Sequence, residues 1–228
     1  MCSRYSLTSP PEAVRSYFGA FVREEFPPRY NIAPTQPVHI VRNGLRVRRE
    51  LELVRWGLIP SWVKAPAEFT TLINARAETA AEKPSFRAAM RHRRCLVPTD
   101  GFYEWTGPKG AKQPHLIRPR GGGLMAMAGV FEHWIGADGS ELETMAILTV
   151  AANATMQPIH DRMPAIIPPD EFDAWLDCSA GSSVIAQAML RQAADDLLEV
   201  TTVSTRLNNP RNEGAELWQD GGAPDAGN

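Results

Sequence analysis

Apolar positions recur at helical spacing near the start of this chain, alternate with polar ones through 45–54, and gather into short strand-like runs through its middle. Near the start, Val14, Tyr17, Phe18 and Phe21 form a helical stripe behind Ser9, Pro10, Pro11 and Glu12, which predicts a helix that Pro27 and Pro28 end. Residues 38–41 and 45–54 flank Asn43-Gly44, the dipeptide of a two-residue type I′ turn, so a hairpin is expected there. Its second arm alternates through Leu45, Val47, Arg49, Leu51 and Leu53. A Pro- and Trp-containing loop covers 57–66, and a short helix 82–93. Strands follow at 95–98, 102–105, 115–118, 124–134 and 145–151, separated by glycine clusters at 107–110, 121–123 and 136–139. After Pro168-Pro169 come helices at 171–176 and 183–194, then a last strand at 199–203. The fold class is therefore α+β, a mainly antiparallel sheet or barrel flanked by helices. Residues 1–219 read as one domain, with a disordered Gly/Ala/Asp-rich tail at 220–228.

No apolar run approaches the roughly 20 residues needed to span a bilayer, and the first residues lack the apolar core of a signal peptide. A monomer in the cytoplasm or nucleoid is expected. Net charge is −2, but its distribution is uneven: residues 1–100 carry 16 Lys and Arg against 9 Asp and Glu, and the remainder the reverse excess. Such asymmetry suits a basic face for phosphates, or two halves packing on each other. Cys2, Cys95 and Cys178 are odd in number and far apart, so neither a disulfide framework nor a zinc site is expected. Cys95 and Cys178 read as structural, with Cys95 buried in its strand.

Five segments could carry chemistry. Cys2 follows Met1, and a small second residue generally permits removal of the initiator. The chain would then begin with an aminothiol whose amine and thiol, with reference pKa values of about 7.7 and 8.5, are both partly deprotonated near neutrality. An amine condenses with an aldehyde, and a thiol on the same residue can close on the resulting imine. Asn74, Arg76 and Glu78 alternate, which places an amide, a guanidinium and a carboxylate on one face of an extended segment. Glu104 sits among Phe102, Tyr103 and Trp105, where apolar neighbours would raise its pKa and suit it to proton transfer. His160, with Asp161 and Arg162, occupies a loop bounded by prolines and fits a general acid or base. Residues 203–213 are polar and could form a nucleic-acid loop or a solvated segment. Each has a plain alternative: a chance Cys after Met1, a solvated strand edge, an outward Glu, a turn with a local ion pair.

In combination and in this order, the segments closely resemble the SOS-response-associated peptidase (SRAP) family. The resemblance is carried by Met1-Cys2-x-Arg4, Arg29-Tyr30-Asn31-Ile32-Ala33-Pro34, Trp56-Gly57-Leu58-Ile59-Pro60-x-Trp62, Ile73-Asn74-Ala75-Arg76-x-Glu78-Thr79, the stretch from Arg94 to Trp105, His160 to Pro164, and Val203-Ser204. It implies single-stranded DNA containing abasic sites as partner and a covalent thiazolidine formed by Cys2 with the abasic aldehyde, without metal or cofactor. It also implies roles. Cys2, Asn74, Glu104 and His160 are the catalytic set; Arg4, Arg76 and Arg162 contact phosphates; Trp62, Trp105, Thr149 and Ser204 line the DNA path. Ser3 stands where the family usually has glycine, and serine lacks glycine's backbone freedom. A cysteine peptidase acting on its own Met1 would use the same residues, and a non-catalytic single-stranded DNA binder would use the basic half and the tryptophans.

Overall fold

The structure is a computed structural model that describes residues 2–44 and 48–219. The elements run β1 (Tyr5–Leu7), α1 (Pro11–Phe18), β2 (Arg29–Ile32), β3 (Pro37–Arg42), β4 (Glu50–Trp56), β5 (Asn74–Arg76), α2 (Ala77–Ala80), α3 (Arg87–His92), β6 (Arg94–Thr99), β7 (Gly101–Thr106), β8 (Gln113–Pro119), β9 (Met125–Ile135), β10 (Glu141–Ala151), β11 (Arg162–Pro164), α4 (Phe172–Leu176), α5 (Ser182–Met189) and β12 (Leu198–Thr202). The α+β expectation holds. Pairings β10–β9, β9–β6, β6–β3, β3–β4 and β4–β10 close five strands into a barrel, the last of them parallel. A second sheet has the order β12-β8-β7-β1-β2 and is antiparallel throughout.

The two sheets share a corner. β6 leaves the barrel at Thr99, turns at Asp100 and enters the second sheet as β7 at Gly101. Gly101 fits because a Cβ there would lie 2.7 Å from Leu116 Cδ1 and 2.9 Å from the Ile117 carbonyl oxygen. The buried residues gather mainly around the barrel, where Ile40, Val41, Trp56, Leu96, Met127 and Leu148 are fully enclosed. Cys95 is buried as expected, and Cys178 is half-buried. β10 does more than close the ring. Its residues Ile147–Thr149 pair with β5 and Thr149–Ala151 with β11, so one strand carries both short segments that bear the candidate residues.

Several boundaries differ from the sequence expectation. Helix α1 ends at Gly19, which takes the left-handed conformation (φ 56°) and donates its N–H to the Arg15 carbonyl, well before the prolines. Phe21, counted in the helical stripe, instead bridges to Glu50 and is exposed. The two-residue turn at Asn43-Gly44 is not formed: Arg42 pairs with Glu50, so the connection is longer. Leu45 and Val47 of the expected second arm lie outside the described residues, as does the tail 220–228. In β4 the buried face is Val54 and Trp56, with Leu53 exposed, so the alternation runs in the opposite phase. The helix expected over 82–93 begins only at Arg87, because Pro84 interrupts it. The last helix stops at Met189.

Candidate active site

The N-terminal segment is fastened before any chemistry is considered. Tyr5 pairs with Ile32 on one side and Phe102 on the other, so β1 is an inner strand. Ser6 donates its hydroxyl to the Gly101 carbonyl (3.1 Å), and Thr99 donates its own to the Ser6 carbonyl (2.9 Å). The Asp100 carboxylate accepts the backbone N–H groups of Thr8 (2.5 Å) and Ser9 (2.9 Å). Ser3 shows no left-handed backbone, so the usual glycine's freedom is not required here and the expected penalty does not arise.

This anchoring delivers Cys2 to a fully buried position, its thiol 3.7 Å from the Arg4 carbonyl oxygen. The Cys2 carbonyl accepts a 2.8 Å hydrogen bond from the Asn74 side-chain amide, which reaches in from β5. Asn74 Oδ1 is buried and has no hydrogen-bond partner among the described residues. Burial pushes the Cys2 thiol well above its ordinary pKa, and the charge of Glu104 pushes the same way.

Glu104 lies on β7, in register with His115, and is 5 % exposed. Burial raises its carboxyl above the ordinary carboxylate range, and proximity to His160 opposes the rise. His160 ends the turn after β10, its N–H held by the Met156 carbonyl (3.0 Å). Its Nδ1 stands 2.9 Å from the Arg162 backbone N–H and 2.8 Å from Asp161 Oδ1. The segment expected to be a loop thus continues directly into a strand, β11, because Ala151 pairs with Arg162. The alternation of Asn74, Arg76 and Glu78 is broken as well: β5 ends at Arg76, and Glu78 belongs to helix α2.

The structure brings Cys2, Asn74, Glu104 and His160 into one cluster, joined by the Asn74–Cys2 bond and by Glu104's electrostatic coupling to both Cys2 and His160. The three arginines differ in what they touch. Arg4 donates to Asn31 Oδ1 (2.6 Å) and the Leu207 carbonyl (3.1 Å), and its guanidinium lies over the Trp105 ring at 5.6 Å. Arg76 is exposed. Arg162 forks onto Glu78 with bonds of 2.6 and 2.8 Å and also reaches the Thr149 carbonyl. Thr149 is fully buried, with its hydroxyl 3.4 Å from the Ala75 carbonyl. Ser204 caps the turn over Thr205–Asn208, accepting the Arg206 N–H. Trp62 is exposed and packs edge-on against Phe69; no described hydrogen bond or ring contact joins it to the cluster.

Ser3, Arg4, Trp105, Gly110, Lys112 and Asn208 line an open recess of about 520 Å³ beside the N-terminal segment. Its floor depends on Asn31, which the sequence reading quoted within a motif without giving it a role. Asn31 is fully buried and donates to the carbonyls of Leu207, Asn209 and Asn212, tying β2 to the 207–212 loop while its Oδ1 holds Arg4. A polar residue inside the strand Arg29–Ile32 was the one available signal.

A barrel with an appended antiparallel sheet holds a buried Cys2 in one cluster with an amide, a carboxyl and an imidazole. The chain belongs to the SOS response associated peptidase (SRAP) family, whose model matches residues 1–210. It is 39 % identical to the abasic site processing protein YoqW of Bacillus subtilis (strain 168), over 95 % of this chain and 98 % of that protein. It is 35 % identical to the chicken abasic site processing protein HMCES, over 83 % of this chain and 65 % of the longer relative. A solved structure of a Bacteroides thetaiotaomicron protein superposes with a TM-score of 0.84 at 26 % identity, covering 96 % of this chain and 99 % of its own.

Proposed function

We propose that this protein processes abasic sites in single-stranded DNA by covalent capture through Cys2, once Met1 has been removed. The Asn74–Cys2 hydrogen bond carries the reading, because it holds the backbone of the first working residue next to Glu104 and His160. Ring opening of the abasic sugar exposes an aldehyde at C1′. Protonation of the departing ring oxygen by Glu104, whose burial favours the protonated form, or by His160 assists that step. The α-amine adds to C1′ and water leaves, giving a Schiff base. The Cys2 sulfur then bonds to C1′ while its proton passes to the nitrogen, which closes a thiazolidine. The net change is loss of one water.

The alternative, a cysteine peptidase acting on Met1, draws on the family's description and on the same cluster. A peptidase nucleophile is activated by a lowered thiol pKa, whereas burial raises that of Cys2. The amine-first route needs no thiolate at the outset, so the capture reading is preferred.

The test mixes Met-free protein with a single-stranded oligonucleotide carrying one abasic site, followed by denaturation and mass measurement. An adduct at protein plus DNA minus one water, lost in Cys2→Ala, is expected. An undiminished adduct in Cys2→Ala, or in protein that retains Met1, overturns the proposal.

A further inference from the structure

We infer that Glu78 is a positioning residue for His160: by clasping Arg162 it fixes the backbone N–H that dictates which imidazole nitrogen carries the proton. The functional consequence rests on the capture reading above; the tautomer itself does not.

The inference begins with a conflict at one atom. His160 Nδ1 lies within hydrogen-bond distance of two groups that make opposite demands, at 2.9 Å from the Arg162 N–H and 2.8 Å from Asp161 Oδ1. The amide needs a lone pair on Nδ1, whereas the carboxylate needs a proton there. In a neutral ring only one can be satisfied. The Asp161 side chain is 84 % exposed, so water can replace the imidazole as its donor at little cost. The Arg162 amide is part-buried beside the ring, and leaving it without an acceptor is the more expensive outcome. Neutral His160 therefore accepts at Nδ1 and holds its proton on Nε2. A ring in that state enters proton transfer as an Nε2–H donor.

The decision stands only while the Arg162 backbone stays in place. Its β11 segment is three residues long and pairs with the last residues of β10. The guanidinium supplies what so short a strand lacks. Both of its terminal nitrogens reach Glu78, at 2.6 and 2.8 Å, and one also reaches the Thr149 carbonyl on β10. A two-point carboxylate fork fixes orientation as well as distance. Glu78 is placed for this by the first turn of α2, which follows β5 directly, so the clasp joins the segment bearing Asn74 to the one bearing His160. The pairing holds the Glu78 carboxyl below its ordinary pKa, with the Arg162 hydrogen bonds as the leading cause.

Nitrogen-15 NMR of the histidine rings provides the test, because protonated and unprotonated ring nitrogens resonate far apart. The spectra are recorded at about pH 8.5, two units above the ordinary imidazole pKa of roughly 6.5. The His160 signals are assigned by their loss in His160→Gln. Wild type is expected to show an acceptor Nδ1 and a protonated Nε2, and Glu78→Ala a mixture of tautomers. Glu78→Gln keeps the side chain's shape and one acceptor; it serves if the alanine variant does not fold. Capture of an abasic oligonucleotide by the Glu78 variant is expected to slow by roughly 10-fold, the usual scale for groups that orient a reacting residue. A protonated Nδ1 in wild type overturns the inference. So does an unchanged imidazole pattern in a Glu78 variant that folds, even if its thermal stability has dropped, since that describes a purely structural ion pair. If the tautomers behave as expected while wild type forms no adduct, the capture reading fails and the inference about Glu78 stands.

Discussion

Asn74 and Cys2, 72 residues apart in the chain, meet through a 2.8 Å bond from the Asn74 side-chain amide to the Cys2 carbonyl oxygen. That contact makes the first residues part of the barrel's rim. Asn74→Ala should cost about 1 kcal/mol of stability, the usual net worth of one such bond. Capture should slow by roughly 10- to 100-fold, as misplacement of a reacting group by about an ångström does. Asn74→Asp should be slower still, because an acceptor would then face the carbonyl. Single-turnover rates of adduct formation, paired with thermal melts, check both.

Glu104 gives a pH signature. Its folded pKa is raised, so between the ordinary value of 4.5 and that raised value the folded chain holds a proton the unfolded chain has released. Stability therefore falls as pH climbs through this window and stays lower above it. Glu104→Gln should melt at a higher temperature than wild type at pH 7, with the advantage disappearing below about pH 4, where both states of the wild type are protonated. The same variant should lose capture. Melts across that pH range, beside adduct assays, decide the point.

Arg76 and Arg162 should separate under salt. Arg76 is exposed, so Arg76→Ala should flatten the salt dependence of single-stranded DNA binding by roughly 0.7 log units per log unit of salt, at unchanged fold stability. Arg162 is committed to Glu78 and Thr149, so Arg162→Ala should also lower stability, by about 1 kcal/mol for an ion pair with one exposed partner. Binding titrations at several salt concentrations and urea unfolding distinguish the two.

Asn31 should prove a structural keystone of the recess. Asn31→Ala takes their donor from the Leu207, Asn209 and Asn212 carbonyls and releases Arg4, at a cost of roughly 2 kcal/mol. Limited proteolysis should then cut near 207–212 at protease levels that leave wild type intact.

The long strands and the residue types of the candidate cluster were legible in the sequence; the short joins were not. β9 and β10 announce themselves because long, mostly apolar runs, buried continuously over 125–130 and 144–150, outweigh local noise. β5 and β11 are three residues each, too short for any period, and exist because β10 offers them an edge. Gly19 ended α1 before the prolines could, since a left-handed glycine cap closes a helix by itself. The cluster of Cys2, Asn74, Glu104 and His160 could be named from residue chemistry and resemblance. The commitment of Arg4 to Asn31 and of Arg162 to Glu78 could not, because each partner is chosen by the three-dimensional fold.

β10 touches β4, β5, β9 and β11 at once, so the strand that closes the barrel also carries the segment bearing Asn74 and the one that follows His160. A one-residue slip of β10 would therefore dislodge Asn74 and the His160–Arg162 turn together, so both halves of the candidate site depend on a single register.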